Sequence, residues 1–124
     1  MMVDSPVDNI VKLQGSKLIA RGIELDLYTG IYSIDGRGSQ HNKISTKTAR
    51  LFKLLIDNVG TVVSKKEILD KIWFDRPVTL SSLTVAIHNL RALICSMNLE
   101  DEITIKNFSG FGYGLYIDDL ILVD

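Results

Sequence analysis

The sequence has one cysteine, two prolines and no long run of apolar residues. A single thiol, Cys95, cannot form an internal disulfide, which excludes a disulfide-stapled fold and fits a reducing compartment. The longest stretch without a charged side chain, residues 77–90, is rich in Ser, Thr and Asn. Because a membrane-spanning helix needs about 20 mostly apolar residues, we expect no membrane segment in this chain.

Neither sign of charge prevails, since 14 basic side chains stand against 15 acidic ones. This balance argues against a protein that coats nucleic acid indiscriminately. Residues 41–91 nevertheless hold nine basic and four acidic side chains, so a positive segment lies between two acidic flanks. The segregation can focus a positive field on one face, although ordinary solvated helix surfaces also carry lysines.

Groups that would catalyse a reaction or bind a metal are scarce. His41, His88 and Cys95 lack the spacing of metal ligands. Glu24 and Asp26 fall on the polar face of a predicted strand, with no base or nucleophile near them in the pattern. We therefore expect no enzymatic activity, no metal and no cofactor.

The hydrophobic pattern changes its period twice along the chain. A period of two over residues 17–44 predicts antiparallel strands, with Ile23, Leu25 and Leu27 on the buried face. A helical period follows, and the period of two then returns in a hairpin. The helices are predicted over 46–58, 65–74 and 80–97, and the hairpin over 102–117.

This order of elements is typical of an α+β fold, the winged helix-turn-helix, with an N-terminal antiparallel sheet, a three-helix core and a C-terminal β-hairpin wing. The third helix of such a fold enters the major groove of DNA, and the hairpin lies against the backbone or minor groove. We expect the domain to span 17–119, between an N-terminal extension (1–16) and a tail (120–124).

Three sequence motifs lie within this pattern. The first is GTVVSKKEIL at 60–69 with IW at 72–73, and the second is VTLSSLT at 78–84 with IHNLR at 87–91. The third is ITI at 103–105 with GFGYGL at 110–115. Their order and spacing resemble the DNA-binding domain of the OmpR/PhoB class of bacterial transcription regulators, especially its ToxR/CadC-like branch. The resemblance covers roughly residues 18–117.

The third helix carries side chains that can read base edges. An Asn amide can bond adenine, a His can bond guanine, and Val methyls can meet a thymine methyl. The candidates for base reading are Ser82, Thr84, Val85, His88 and Asn89. The candidates for phosphate contact, among which Arg91 follows from the family resemblance, are Lys47, Lys65, Lys66, Ser81, Arg91 and Lys106.

The chain departs from the family at the wing. Phe111 and Gly114 occupy positions that are often basic, which leaves Lys106 as the wing's only cation. Because phosphate contacts supply most non-specific affinity, we expect weak binding by one copy and several copies on tandem sites. The acidic flanks and nearly uncharged wing also suit another function, a protein-interaction module that binds DNA weakly and acts through another regulator or RNA polymerase.

The setting is expected from the resemblance as well. About forty residues precede the first predicted helix, so we expect no phospho-acceptor receiver domain in this chain. The resemblance implies a cytoplasmic, nucleoid-associated protein, either a standalone regulator or the cytoplasmic part of a membrane-tethered one.

Overall fold

The computed structural model describes residues 10–34, 42–73 and 78–123. Within these ranges, strands precede and follow a group of three helices. The elements in chain order are β1 (Val11–Gln14), β2 (Lys17–Ala20), β3 (Ile23–Asp26), β4 (Ile31–Ile34), β5 (Asn42–Lys43), α1 (Thr46–Asp57), β6 (Val62–Ser64), α2 (Lys65–Ile72), α3 (Leu80–Ser96), β7 (Ile103–Phe108), β8 (Gly112–Ile117) and β9 (Leu120–Val123).

The first sheet has the strand order β5-β4-β3-β2-β1-β9, in which β1 and β9 run parallel and the other neighbours antiparallel. Ile23, Leu25 and Leu27 are buried, as the period of two predicts. Lys17 and Glu24 form a 3.2 Å ion pair, and their side chains are about half exposed. One face of the sheet therefore belongs to the core and the other to solvent.

Local signals begin and end the first two helices. Ser64 caps α2, its hydroxyl oxygen accepting from the backbone N–H of Glu67 at 3.1 Å, and Ser45 caps α1 in the same way. The carboxylate of Glu67, in the first turn of α2, pairs with Lys71 at 3.1 Å. Gly60 follows α1 with a φ of 82°, a conformation that glycine adopts without strain.

The second sheet joins the wing hairpin to the segment between α1 and α2, in the order β6-β8-β7. Gly112 makes this pairing possible, because a Cβ at this position would lie 1.8 Å from the carbonyl oxygen of Val63. At the tip, the N–H of Phe111 donates to the carbonyl of Phe108 at 2.9 Å, and Gly110 between them has a φ of 79°. The wing is thus a closed hairpin held against β6.

The helices and both sheets share one apolar core. Phe52 of α1, Ile68 of α2, Leu90 of α3 and Leu115 of β8 are all fully buried. Trp73, directly after α2, is also buried at 8% exposed. The predicted winged helix-turn-helix, with its N-terminal sheet and C-terminal wing, is confirmed.

Two strands lie outside the predicted domain limits of 17–119. β1 lies inside the segment 1–16, predicted to be an extension, and β9 lies inside the predicted tail 120–124. The two strands pair in parallel, with Val11 opposite Leu120. Parallel partners are not joined by a local turn, so the sequence contains no hairpin signal for this pair. The helices end at Asp57, Ile72 and Ser96, one or two residues before the predicted ends.

Candidate nucleic-acid interface

α3 presents one nearly uncharged face to solvent. Ser81, Thr84, Val85 and His88 recur at the spacing that aligns side chains on one side of a helix, and all four are exposed together with Asn89. Val85 is 57% exposed, which is a large fraction for an apolar side chain in the middle of a helix. The structure therefore brings most of the predicted base-reading residues onto one surface.

The predicted base-reading residues differ in whether their polar groups are exposed and already have a hydrogen-bond partner. Ser82 is half-buried at the border of this face. The Thr84 hydroxyl donates to the carbonyl of Leu80 at 3.2 Å, which leaves its oxygen as an acceptor. Within the described ranges, His88 and Asn89 have no hydrogen-bond partner for the ring or the amide. These two side chains are the ones most available to a ligand.

Arg91 stands where α3 meets the wing. Its Nη2 donates to the carbonyl oxygen of Ile105 in β7 at 2.8 Å. This bond fixes the wing relative to α3, a role that the family resemblance did not supply. A guanidinium has five N–H donors, so the predicted phosphate contact stays a prediction alongside the structural bond.

The first turn of α2 lies against the wing tip. The backbone N–H of Lys65 donates to the carbonyl of Phe111 at 2.9 Å. The ammonium of Lys65 has no partner among the residues that the structure describes, whereas Lys66 pairs with Asp70 at 2.7 Å. The hydrogen bond and negative charge of Asp70 raise the pKa of Lys66 above its ordinary value. Lys65 therefore supplies the less compensated positive charge.

Two other lysines predicted to contact phosphate have partners inside the domain. Lys47 Nζ donates to the carbonyl of Ile72, at the C-terminal end of α2, at 2.9 Å and lies 5.9 Å from the centre of the Trp73 ring. A cation is favourable at this end of a helix. Lys106 Nζ lies 5.1 Å from the centre of the Tyr116 ring, a cation–π arrangement. Their roles toward phosphate remain predictions.

Three exposed apolar side chains of α3 and the wing are not among the site residues predicted from the sequence. Leu80 in the first turn of α3 is 56% exposed, and Phe108 and Phe111 at the wing tip are 38% and 57% exposed. Only the wing carries a signal in the sequence, the replacement of an often basic residue by Phe111. Leu80 fits the apolar period of α3, so its exposure cannot be inferred from spacing.

The described ranges of the chain show neither a metal signature nor a membrane signature. No group of three or more His, Cys, Asp or Glu side chains there is placed to hold a metal ion. None of the helices in those ranges is long and apolar enough to cross a membrane.

The fold and the polar face of α3 define a winged-helix DNA-binding domain, and the sequence comparison supports this class. Residues 39–115 match the family profile described as "Transcriptional regulatory protein, C terminal". The match covers more than half of the chain, which therefore belongs to this family, the OmpR/PhoB type of DNA-binding domain found in bacterial transcription regulators. A comparison with curated protein sequences finds no significant match.

Solved structures agree on the fold. The DNA-binding domain of E. coli CadC is 20% identical with a TM-score of 0.64, over 84% of this chain and 89% of that one. The C-terminal domain of the nisin resistance regulator NsrR is 23% identical with a TM-score of 0.57, over 85% and 96%. The DNA-binding domain of E. coli CpxR is 20% identical with a TM-score of 0.55, over 82% and 96%.

Proposed function

We propose that this domain regulates transcription by recognising a specific sequence in double-stranded DNA, with α3 in the major groove and the wing on the backbone or minor groove. The observation that carries the proposal is the exposed face of α3. It offers an imidazole, an amide and a valine side chain within two turns, and these groups match the donor, acceptor and methyl pattern of base edges. The base-reading residues proposed are Ser82, Thr84, Val85, His88 and Asn89.

Phosphate contacts would hold α3 in register on the duplex. Ser81 and Lys65 are suited to this task because Ser81 lies on the exposed face of α3 itself, and Lys65, in the first turn of α2, has no competing partner in the described residues. Lys66, Arg91, Lys47 and Lys106 would contribute less, since each already has a partner within the domain.

Few cations among the described residues lack a partner, which implies modest affinity for one copy. Several copies on adjacent half-sites would compensate, because linked binding events raise the effective concentration without new contacts. The proposal places the domain in the cytoplasm at the nucleoid, as a free regulator or as the cytoplasmic part of a membrane-tethered one.

A selection of bound duplexes from a random DNA pool tests the proposal. The purified chain is used at about 50 and about 200 mM salt, the range over which phosphate-driven affinity falls steeply. Enrichment of a motif, in tandem copies if several chains bind together, is the expected result. If no duplex is retained even at the lower salt, direct recognition of DNA by this chain is refuted.

Substitution of Asn89 tests which residues read the bases. Asn89→Ala should relax the preference at one base position, at a cost of about 1–3 kcal/mol for the preferred base, because an amide bonds adenine through two hydrogen bonds. Gln14→Ala, which removes an exposed amide from β1 in the N-terminal sheet, is the matched control and should leave the selected motif unchanged. An unaltered motif with Asn89→Ala would remove this residue from the reading set.

The exposed apolar side chains favour a second candidate, an interaction module that acts through RNA polymerase or another regulator. Leu80 and Val85 are each more than half exposed on α3. If regulation in a reporter strain is lost in Val85→Ser while DNA binding is unchanged, this second function is the correct one. If both are lost together, the apolar surface faces DNA.

A further inference from the structure

The wing tip combines exposed aromatic rings with an absence of charge. Residues 107–112 contain no Lys or Arg, and the one cation of the hairpin, Lys106, lies over the ring of Tyr116. Phe111 is 57% and Phe108 38% exposed, although most aromatic rings of a small domain are buried in its core. A surface tip of this composition has little affinity for phosphate and gains free energy only by leaving water.

The tip is also rigid at its backbone. One hydrogen bond closes the turn, from Phe111 N–H to the carbonyl of Phe108, and a second ties the carbonyl of Phe111 to the N–H of Lys65 at 2.9 Å. The close approach of Gly112 to the backbone of Val63 prevents the hairpin from sliding relative to β6. The backbone that carries the two rings is therefore fixed before any partner binds, which lowers the entropy lost on binding.

The neighbours of the tip indicate the partner. The tip is bonded to the first turn of α2, where the ammonium of Lys65 has no partner among the described residues. Arg91 ties the same hairpin to α3, the helix with the polar exposed face. A rigid apolar projection flanked by positive charge is complementary to a duplex whose phosphates lie outside and whose stacked bases are apolar.

We propose that Phe111, supported by Phe108, enters the minor groove as an apolar wedge between base steps and bends the DNA. The proposal rests on the DNA-binding function proposed above. Apolar wedges unstack base pairs locally and kink a duplex by about 20–90°. Pyrimidine–purine steps such as TA unstack most easily, so they should occur opposite the wing in the bound sequence.

Phe111→Ala is the first variant, because removal of an exposed ring leaves both backbone hydrogen bonds of the tip in place. Its affinity for a duplex should fall between about 5- and 150-fold, the range that stacking on an aromatic ring supplies per base. Tyr28→Ala is the matched control, since Tyr28 is 79% exposed and lies in the turn between β3 and β4. The control should bind as the wild type does.

Energy transfer between dyes at the two duplex ends reports bending, and 2-aminopurine at the TA step reports unstacking. The wild-type chain should bring the ends closer and raise the 2-aminopurine fluorescence, and Phe111→Ala should lose both signals. The salt dependence separates this contact from a phosphate contact. Phe111→Ala should lower the affinity equally at all salt concentrations, whereas Lys65→Ala should reduce the logarithmic salt slope by about 0.9.

The outcomes distinguish this proposal from the function on which it rests. If the wild-type chain binds duplex DNA without bending or unstacking it, the wedge is refuted and the DNA-binding function stands. The same holds if Phe111→Ala bends DNA normally but loses regulation in a reporter strain, which would assign the tip to a protein partner. If the wild-type chain binds no duplex at about 50 mM salt, both proposals fail.

Discussion

A methyl group at position 112 tests how the wing is attached to the helices. The φ of Gly112 lies outside the left-handed region, so the backbone conformation itself would suit alanine. The new Cβ, however, would lie 1.8 Å from the carbonyl oxygen of Val63 and 2.9 Å from Cα of Ser64. Both atoms belong to the backbone of β6, so no side-chain rotation can relieve the overlap. The β6–β8 ladder must therefore open at the end where Ser64 pairs with Gly112.

The cost of Gly112→Ala follows from the contacts that opening removes. A backbone hydrogen bond contributes about 1 kcal/mol net, so losing this end of the ladder and the bond from Lys65 N–H to Phe111 should destabilise the domain by about 2–4 kcal/mol. For a chain of this size, each kcal/mol lowers the melting temperature by roughly 3–6 °C. Thermal unfolding followed by circular dichroism should therefore shift by about 10 °C.

Gly110→Ala is the control for this measurement. Gly110 has a φ of 79°, and a Cβ added there would have no atom within 4 Å, so alanine meets only backbone strain of about 1–2 kcal/mol. If Gly112→Ala destabilises the domain no more than Gly110→Ala does, the close approach of β6 and β8 is refuted. A clearly larger loss, together with weaker DNA binding, would show that the wing works only when β6 holds it.

Two further substitutions test charged side chains, Arg21 between β2 and β3 and Lys65 in α2. In a urea titration, Arg21→Ala should lower the free energy of unfolding by about 3 kcal/mol, because it leaves the 7%-exposed carboxylate of Glu102 without its 3.0 Å partner. Lys17→Ala, which breaks an exposed ion pair, is the control and should cost below about 1 kcal/mol. Lys65→Ala should reduce the logarithmic salt slope of DNA binding by about 0.9, and an unchanged slope would exclude a phosphate contact; Lys12→Ala on β1 is the control.

The local features of the fold were predictable because each depends on residues close together in the chain. Ser45 and Ser64 mark the beginnings of α1 and α2 through hydrogen bonds to the residue three positions ahead. Gly60 marks the end of the first helix by its positive φ. The exposed face of α3 follows from helical spacing alone, so the sequence is sufficient to predict the candidate base-reading surface.

Features that join distant residues could not be predicted. β9 pairs with β1 across nearly the whole chain, and the apolar residues 120–123 carry no mark of their partner. The hydrogen bonds from Lys47 to Ile72 and from Arg91 to Ile105 could not be predicted either, because their partners are far apart in the sequence. In both cases the sequence identified a basic residue but contained no information on which carbonyl oxygen it would contact.

These internal contacts determine how the domain can use its positive segment. Lys53, Lys66 and Lys71 pair with carboxylates on their own helices, and Lys47 and Arg91 donate to backbone carbonyls. With three phosphate contacts, the affinity of such a domain would fall only about 40-fold between 50 and 200 mM salt, against about 10³–10⁵-fold for six to ten contacts. Such a domain gains little from non-specific binding. Its occupancy of a site must come from base contacts, from the shape of the DNA and from neighbouring copies, and these terms persist at high salt because they do not depend on released counterions.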